Sequence, residues 1–192
     1  SLLSYIVTEI CLLDEADTWL FYIPSILASL LCYPLITWLA NRWGKWAVFA
    51  GSLLASGLVL PGLMLIGEWI PLSLLAQGLI WITLQAVALS GVAMLPPAFG
   101  AEIVDHDETL TGQRREGLYY ATWGFVDQVI NGVLVAILPL LLQLGKSHLE
   151  PQGPLGVRLS GALGGTLLLV GFVIFLFYPK KGPAKQEVSH AG

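Results

Sequence analysis

Charged residues in this chain of 192 residues gather into short clusters, and long stretches without any charge run between them. The charge-free runs extend from Thr18 to Asn41, from Trp46 to Gly67, from Glu68 to the next charge at Glu102, from Gln128 to Gly145 and from Leu159 to Pro179. A helix crossing the hydrocarbon core of a bilayer needs about 20 apolar residues, and four of these runs meet that length unaided. The run from Gln128 meets it if Asp127 lies inside the same helix. The pattern predicts helices over Trp19–Ala40, Trp46–Ile66, Leu72–Leu95, Leu118–Leu144 and Arg158–Tyr178, preceded by an apolar stretch, Ser1–Leu13. That stretch is too short to span and is expected to be the remainder of a helix that begins upstream. The fold class is therefore an all-α membrane protein, a six-helix bundle with its first helix truncated. Residues 1–178 read as one transmembrane domain and residues 179–192 as a tail.

The connections carry helix breakers and charge. Asp14–Asp17 reads as an acidic turn and Asn41–Lys45 as a tight basic one. Pro96-Pro97 is expected to end the fourth segment, because proline lacks the donor and clashes with the preceding turn. The charged stretch Ala101–Gly117 is then a loop. Pro139 falls inside the fifth helix, where lipid-embedded bundles tolerate a kink. Orientation follows from the basic residues. Arg42, Lys45, Arg114, Arg115, Lys180, Lys181 and Lys185 fall on one side, and Lys146 and Arg158 on the other. The richer side is expected to be cytoplasmic, with the C-terminus inside a cell membrane.

Composition narrows the function. Hydrophobic residues make up 56% of the chain and charged residues 11%, against roughly 25% charged in soluble domains. A soluble enzyme, a secreted module and a disordered tail are excluded. The nine basic residues are scattered over short connections and form no patch for a phosphate backbone, so no nucleic-acid partner is expected. Cys11 and Cys32 both sit in apolar stretches and read as small core residues. Asp105-His106-Asp107-Glu108 lacks a second ligand set for a metal. Ala88-Leu89-Ser90-Gly91 lacks the first glycine of a nucleophile elbow, and no histidine lies at membrane depth to activate Ser90. The chain is not read as an enzyme.

Polar side chains at bilayer depth need a reason of their own, and residues at i, i+3, i+4 and i+7 share a helix face. In the second segment Tyr22, Ser25, Ser29, Tyr33 and Thr37 fall on one stripe. In the fifth, Tyr120, Gly124, Asp127 and Asn131 do so, flanked by Trp123 and Gln128. The first segment offers Tyr5, Thr8 and Glu9, and the fourth a looser set, Gln77, Gln85 and Ser90. The third and sixth carry small hydroxyls (Ser52, Ser56, Ser160, Thr166) that can bond their own backbone. Gly161 and Gly165 suit close helix packing. Three or four helices with a wet face and two without describe a bundle around an aqueous cavity. Asp127 weighs most: it lies about 14 Å into its helix at 1.5 Å per residue, and that helix holds no basic partner.

The long charged segment, Glu102-Ile-Val-Asp105 followed by Thr111-Gly112-Gln-Arg114-Arg115-Glu116-Gly117, resembles the helix 10–11 loop of the glycoside–pentoside–hexuronide:cation symporters. This is the melibiose permease group of the major facilitator superfamily, which also includes eukaryotic lysolipid transporters of similar sequence. Asn41-Arg42-Trp43-Gly44-Lys45 resembles the short basic loop between helices 8 and 9, and Arg158 and Tyr178-Pro179 also fit. The resemblance implies that the chain is helices 7 (partial) to 12 of a twelve-helix alternating-access transporter, whose partner is the N-terminal six-helix half. The implied activity is cation-coupled symport of a sugar or related small solute. No cofactor is implied beyond a coupling cation, Na+ or H+.

In that scheme Tyr22, Ser25, Ser29, Tyr33, Tyr120, Trp123, Asp127, Gln128 and Asn131 line the substrate cavity. Arg42, Lys45, Glu102, Asp105, Arg114, Arg115 and Glu116 form a cytoplasmic gate. Family members carry a lysine twelve residues after the loop glutamate; counting from Glu116, this sequence has the neutral Gln128 there, with Asp127 beside it. A proton on Asp127 is one candidate coupling ion. A transporter-like module without coupled transport, and a lysolipid carrier, are the alternatives to the symporter.

Overall fold

The structure is a computed structural model and describes residues 15–67, 70–143 and 155–178. The expected first helix Ser1–Leu13, with Tyr5, Thr8, Glu9 and Cys11, lies outside the described residues, as do Lys146 and the segment 179–192. Among the described residues the chain is all helical. A short turn, Glu15–Thr18, leads into α1 (Trp19–Trp43), followed by α2 (Lys45–Val59), α3 (Leu74–Met94), α4 (Pro96–Thr111), α5 (Glu116–Gln143) and α6 (Leu155–Leu176). Five segments are long and apolar enough to cross a membrane.

Three boundaries differ from expectation, each for a local reason. The basic turn after α1 shrinks to the single residue Gly44, whose φ of 89° lies where a side chain would be strained. The helix expected over Trp46–Ile66 stops being α-helical at Val59 and tightens into a 3-10 segment, Leu60–Leu65, where Pro61 has no donor for the helix ladder. The stretch expected as a loop, Ala101–Gly117, is helical up to Thr111, within α4. Pro96 and Pro97 occupy its first turn, where their missing N–H groups had no intrahelical partner anyway. Gly112, at φ 68°, closes α4 and donates its N–H to Glu108 O at 2.9 Å.

The core lies between α2 and α3, with α1 and α6 on either flank. Phe21, Cys32 and Ile36 share one face of α1 and are buried; Phe21 meets Leu79 and Ile82 of α3, and Ile36 packs with Val48 and Leu95. Cys32 is the small core residue expected of it. Trp81 of α3, buried beside Leu63 and Ile66, donates its indole N–H to Val59 O at 3.0 Å. That bond caps a carbonyl freed where α2 changes pitch.

Glycines set the α2–α6 contact. A Cβ built on Gly165 would stand 2.6 Å from Pro61 Cδ and 2.9 Å from Gly57 O, and one on Gly161 would stand 3.0 Å from Leu60 O. Lipid offers little hydrophobic drive between helices, so close backbone approach and dispersion hold this pair. At the other end, rings from three helices form one cluster. Phe175 stacks on Tyr178 with centroids 5.5 Å apart and on Trp46 at 5.7 Å, and meets Phe49 edge-on at 4.6 Å. Phe99 of α4 enters the same cluster, 5.5 Å from Phe49. The Trp46 indole donates to Tyr178 O at 3.0 Å.

The seam makes a testable statement. Gly165→Leu is expected to lower thermal stability in detergent by about 1–3 kcal/mol, the usual cost of overpacking. Gly171→Leu, with nothing within 4 Å of its Cβ position, is expected to leave the midpoint nearly unchanged. Equal behaviour of the two variants would show that the seam is not close-packed.

Candidate functional site

On α5 a 3.6-residue repeat brings Tyr120, Trp123, Gly124, Asp127 and Asn131 onto one side. Asp127 lies about 16 Å into the helix from Glu116. Asn131 Nδ2 donates to Asp127 Oδ2 at 3.1 Å and to the Asp127 carbonyl at 2.9 Å. The amide holds one carboxylate oxygen and leaves the other turned to its surroundings. Both residues are exposed, and a Cβ on Gly124 would meet nothing within 4 Å, so there is open space beside the carboxylate. Trp123 and Tyr120 flank it and touch the Gly100 position of α4, with Trp123 Cζ3 3.5 Å from where a Cβ would stand.

No α5 residue of its membrane-spanning window is buried. Leu138 packs against the Leu63–Trp81 cluster, and α5 otherwise rests on α6 and α4. Both flanks of α5 are thus uncovered, one apolar (Phe125, Val126, Val129, Val133) and one carrying the amide, carboxylate and aromatic rings.

The α1 stripe has different chemistry. Ser25 Oγ donates to Tyr22 O at 2.8 Å, Ser29 Oγ to Ser25 O at 2.9 Å and Thr37 Oγ1 to Tyr33 O at 2.9 Å. These hydroxyl protons are spent on their own helix, and Ser25 and Ser29 are half-buried. Tyr22 and Tyr33 remain exposed. α1 is anchored on α2 and α3, and α5 on α4 and α6; besides its bond to Tyr33 O, Thr37 Oγ1 reaches Met94 Sδ of α3 at 3.9 Å.

Two amides of α3 carry more than their scattered spacing suggested. Gln77 is buried; it accepts from Gly67 N at 3.1 Å and donates to Gly67 O at 3.0 Å and Leu72 O at 2.8 Å, pinning the connection into α3. Arg158 fastens the same end, donating to Ile66 O at 3.0 Å. Gln85 is also buried, yet neither its amide nitrogen nor its oxygen has a partner among the described residues, and the same holds for Ser56 Oγ. For Ser56 this corrects the expectation of a hydroxyl bonded to its own backbone. The signal available in sequence was the residue type alone: an amide amid Leu and Ala on a spanning helix.

The expected gate charges find near neighbours. Lys45 Nζ and Glu102 Oε1 are 2.6 Å apart, each about 40% exposed (42% and 39%), and tie the start of α2 to α4. Arg114 Nε bonds Glu116 Oε2 at 3.1 Å. That hydrogen bond, then the Glu116 charge, with Glu108 and Asp105 adding to the field, raises the Arg114 pKa above its ordinary value. Arg115 donates to the Gln113 side chain, and Arg42 lies 5.4 Å over the Trp38 ring. The structure therefore joins Lys45 with Glu102 and Arg114 with Glu116, and gives Arg42 and Arg115 uncharged partners. No group of three metal-binding side chains occurs among the described residues.

Comparison with known proteins agrees with this architecture. Residues 1–182 match the family model described as MFS/sugar transport protein, and the chain belongs to that family. It is 29% identical over 182 residues to the glucuronide carrier protein homolog of Escherichia coli (strain K12), a match covering 90% of this chain and 39% of the relative. The chain thus spans well under half of that relative's length. No solved structure matches it. A multi-pass helical membrane protein of this family is what the five spanning segments make.

The Lys45–Glu102 pair gives a second test. Half-exposed pairs contribute about 0–1 kcal/mol, so Lys45→Glu and Glu102→Lys are each expected to destabilise by no more than that. The swapped double variant is expected to recover the loss in a double-mutant cycle. A double variant no better than the sum of the singles would show the pair to be uncoupled.

Proposed function

We propose that the chain is the C-terminal six-helix half, helices 7–12, of a secondary transporter that moves a sugar or related small solute by alternating access, coupled to Na+ or H+. Family membership supports transport. The observation that carries the site is the Asp127–Asn131 pair: a carboxylate in mid-helix, ordered by an amide and uncovered by its own bundle. At bilayer depth such a group is costly unless water, a cation or a partner reaches it. In a transporter built of two halves rocking about a central site, this face belongs against the N-terminal half and the aqueous path.

On this reading Tyr120, Trp123, Asp127, Gln128 and Asn131 contribute the solute wall, with Tyr22 and Tyr33 offering hydroxyls from α1. The seam between α2 and α6 and the ring cluster make a stiff frame that moves as one body. Lys45–Glu102 and the charges around Arg114 sit where α4 meets the helix ends. Weak pairs there suit a switch between states a few kcal/mol apart. The protein is placed in the cell membrane, with the Arg42, Arg114 and C-terminal side inside, in keeping with its basic bias. Its partners are the N-terminal half, lipid and the solute, with no nucleic acid and no cofactor beyond the coupling cation.

Uptake into proteoliposomes by the full-length protein, with sodium and proton gradients imposed separately, tests this. One gradient is expected to drive accumulation of a sugar. Asp127→Asn is expected to lower the accumulation ratio about tenfold or more, as coupling energies of about 1–3 kcal/mol imply. If no gradient drives any sugar, the symporter reading fails; if lysolipid alone moves, the lipid-carrier reading replaces it.

A further inference from the structure

We infer that this half of the transporter presents a wall suited to an uncharged sugar and selects against a carboxylate-bearing one. The inference rests on the transport reading and adds the charge class of the substrate. Its basis is where positive charge falls. Of the nine Lys and Arg residues, the five among the described residues lie at helix ends or in connections. Arg42 and Lys45 flank Gly44, Arg114 and Arg115 precede α5, Arg158 lies in the first turn of α6, and Lys146, Lys180, Lys181 and Lys185 fall between or beyond the apolar runs.

Arg115, the nearest along α5, is twelve residues before Asp127, about 18 Å along the helix axis, and its guanidinium is engaged with Gln113. Arg158 reaches instead for Ile66 O. At the level of Asp127, α5 therefore presents a carboxylate, two amides and two aromatic rings, and no cation.

Those groups fit a neutral polyol. The unbonded Asp127 oxygen accepts a sugar hydroxyl, Gln128 can donate and accept, and the Trp123 ring offers a flat apolar face for the C–H side of a pyranose. A Cβ on Gly124, on the same side of α5, would meet nothing within 4 Å. A uronate in the same place brings a second negative charge beside Asp127, and like charges in a low-dielectric site repel strongly. A proton on Asp127 would remove its charge but would not supply a positive one to pair with the uronate. Burying an unpaired carboxylate remains costly in either protonation state. The relative named as a glucuronide carrier homolog thus makes a sharp contrast, since glucose and glucuronate differ only at C6.

The test uses 4-nitrophenyl β-D-glucoside and 4-nitrophenyl β-D-glucuronide with the full-length protein in proteoliposomes. Uptake of the glucoside is expected, with the glucuronide competing at least about tenfold more weakly, the scale on which an unfavourable charge contact acts. Asp127→Lys, which places a cation on the wall, is expected to narrow or invert that ratio. Competition within the wild-type protein keeps the test independent of whether that variant folds. Equal competition, or preference for the glucuronide by the wild type, overturns the charge assignment while leaving transport standing. Failure of every neutral and acidic sugar to move overturns the transport reading, and the assignment falls with it.

Discussion

A polar side chain on a lipid-embedded helix must find a partner close by, and that requirement organises this bundle. Most of the hydroxyls meet it by turning back on their own helix: Ser25, Ser29, Thr37, Thr83, Ser90, Thr122 and Thr166 all bond carbonyls three or four residues earlier. Trp81 and Gln77 meet it across elements, at the pitch change after α2 and at the entry to α3. Gln85 and Ser56 are buried without a partner among the described residues, and on the uncovered α5 a carboxylate and its amide satisfy one another on one side only. The helices closest to the core have resolved most of their polarity, and the least covered helix carries the carboxylate. That division is what separates a frame from a working face.

The frame itself is built by shape more than by hydrogen bonds. Glycines bring α2 and α6 to backbone contact, and rings from α2, α4 and α6 lock the opposite end. Packed interfaces of this kind shift as units instead of deforming gradually, which suits rigid-body motion of one half against another. Helix α4 joins the frame through Phe99 and Glu102 and reaches α5 through Gly100, against which Tyr120 and Trp123 rest. It thus links the charged end of the bundle to the polar face of α5.

The spans could be read from the sequence because charge-free runs of bilayer length have few other uses. Helix α4 could not: its residues mix charge with apolar positions, and the two prolines that end one helix also start the next. The packing role of Gly161 and Gly165 was legible from their spacing, since four residues return to the same face. Gln77 and Gln85 looked alike in sequence, yet one is fully bonded and the other has no partner within the described residues; only the path of the chain between α2 and α3 distinguishes them. On α1, spacing places hydroxyls on one face without saying where their protons go, and Ser25, Ser29 and Thr37 give theirs to carbonyls of their own helix. Asp127 and Asn131, one turn apart, are bonded as that spacing allows.

Water is expected to reach the Asp127 side of α5 and not the Phe125–Val129 side. Single cysteines placed in the full-length protein at Gly124, Asp127 and Asn131, and at Phe125, Val129 and Val133, measure this through their rate of reaction with a membrane-impermeant, water-soluble thiol reagent. Fast labelling of the first three and slow labelling of the others is the predicted outcome. Comparable rates on both sides, or faster labelling at Phe125 and Val129, would contradict it.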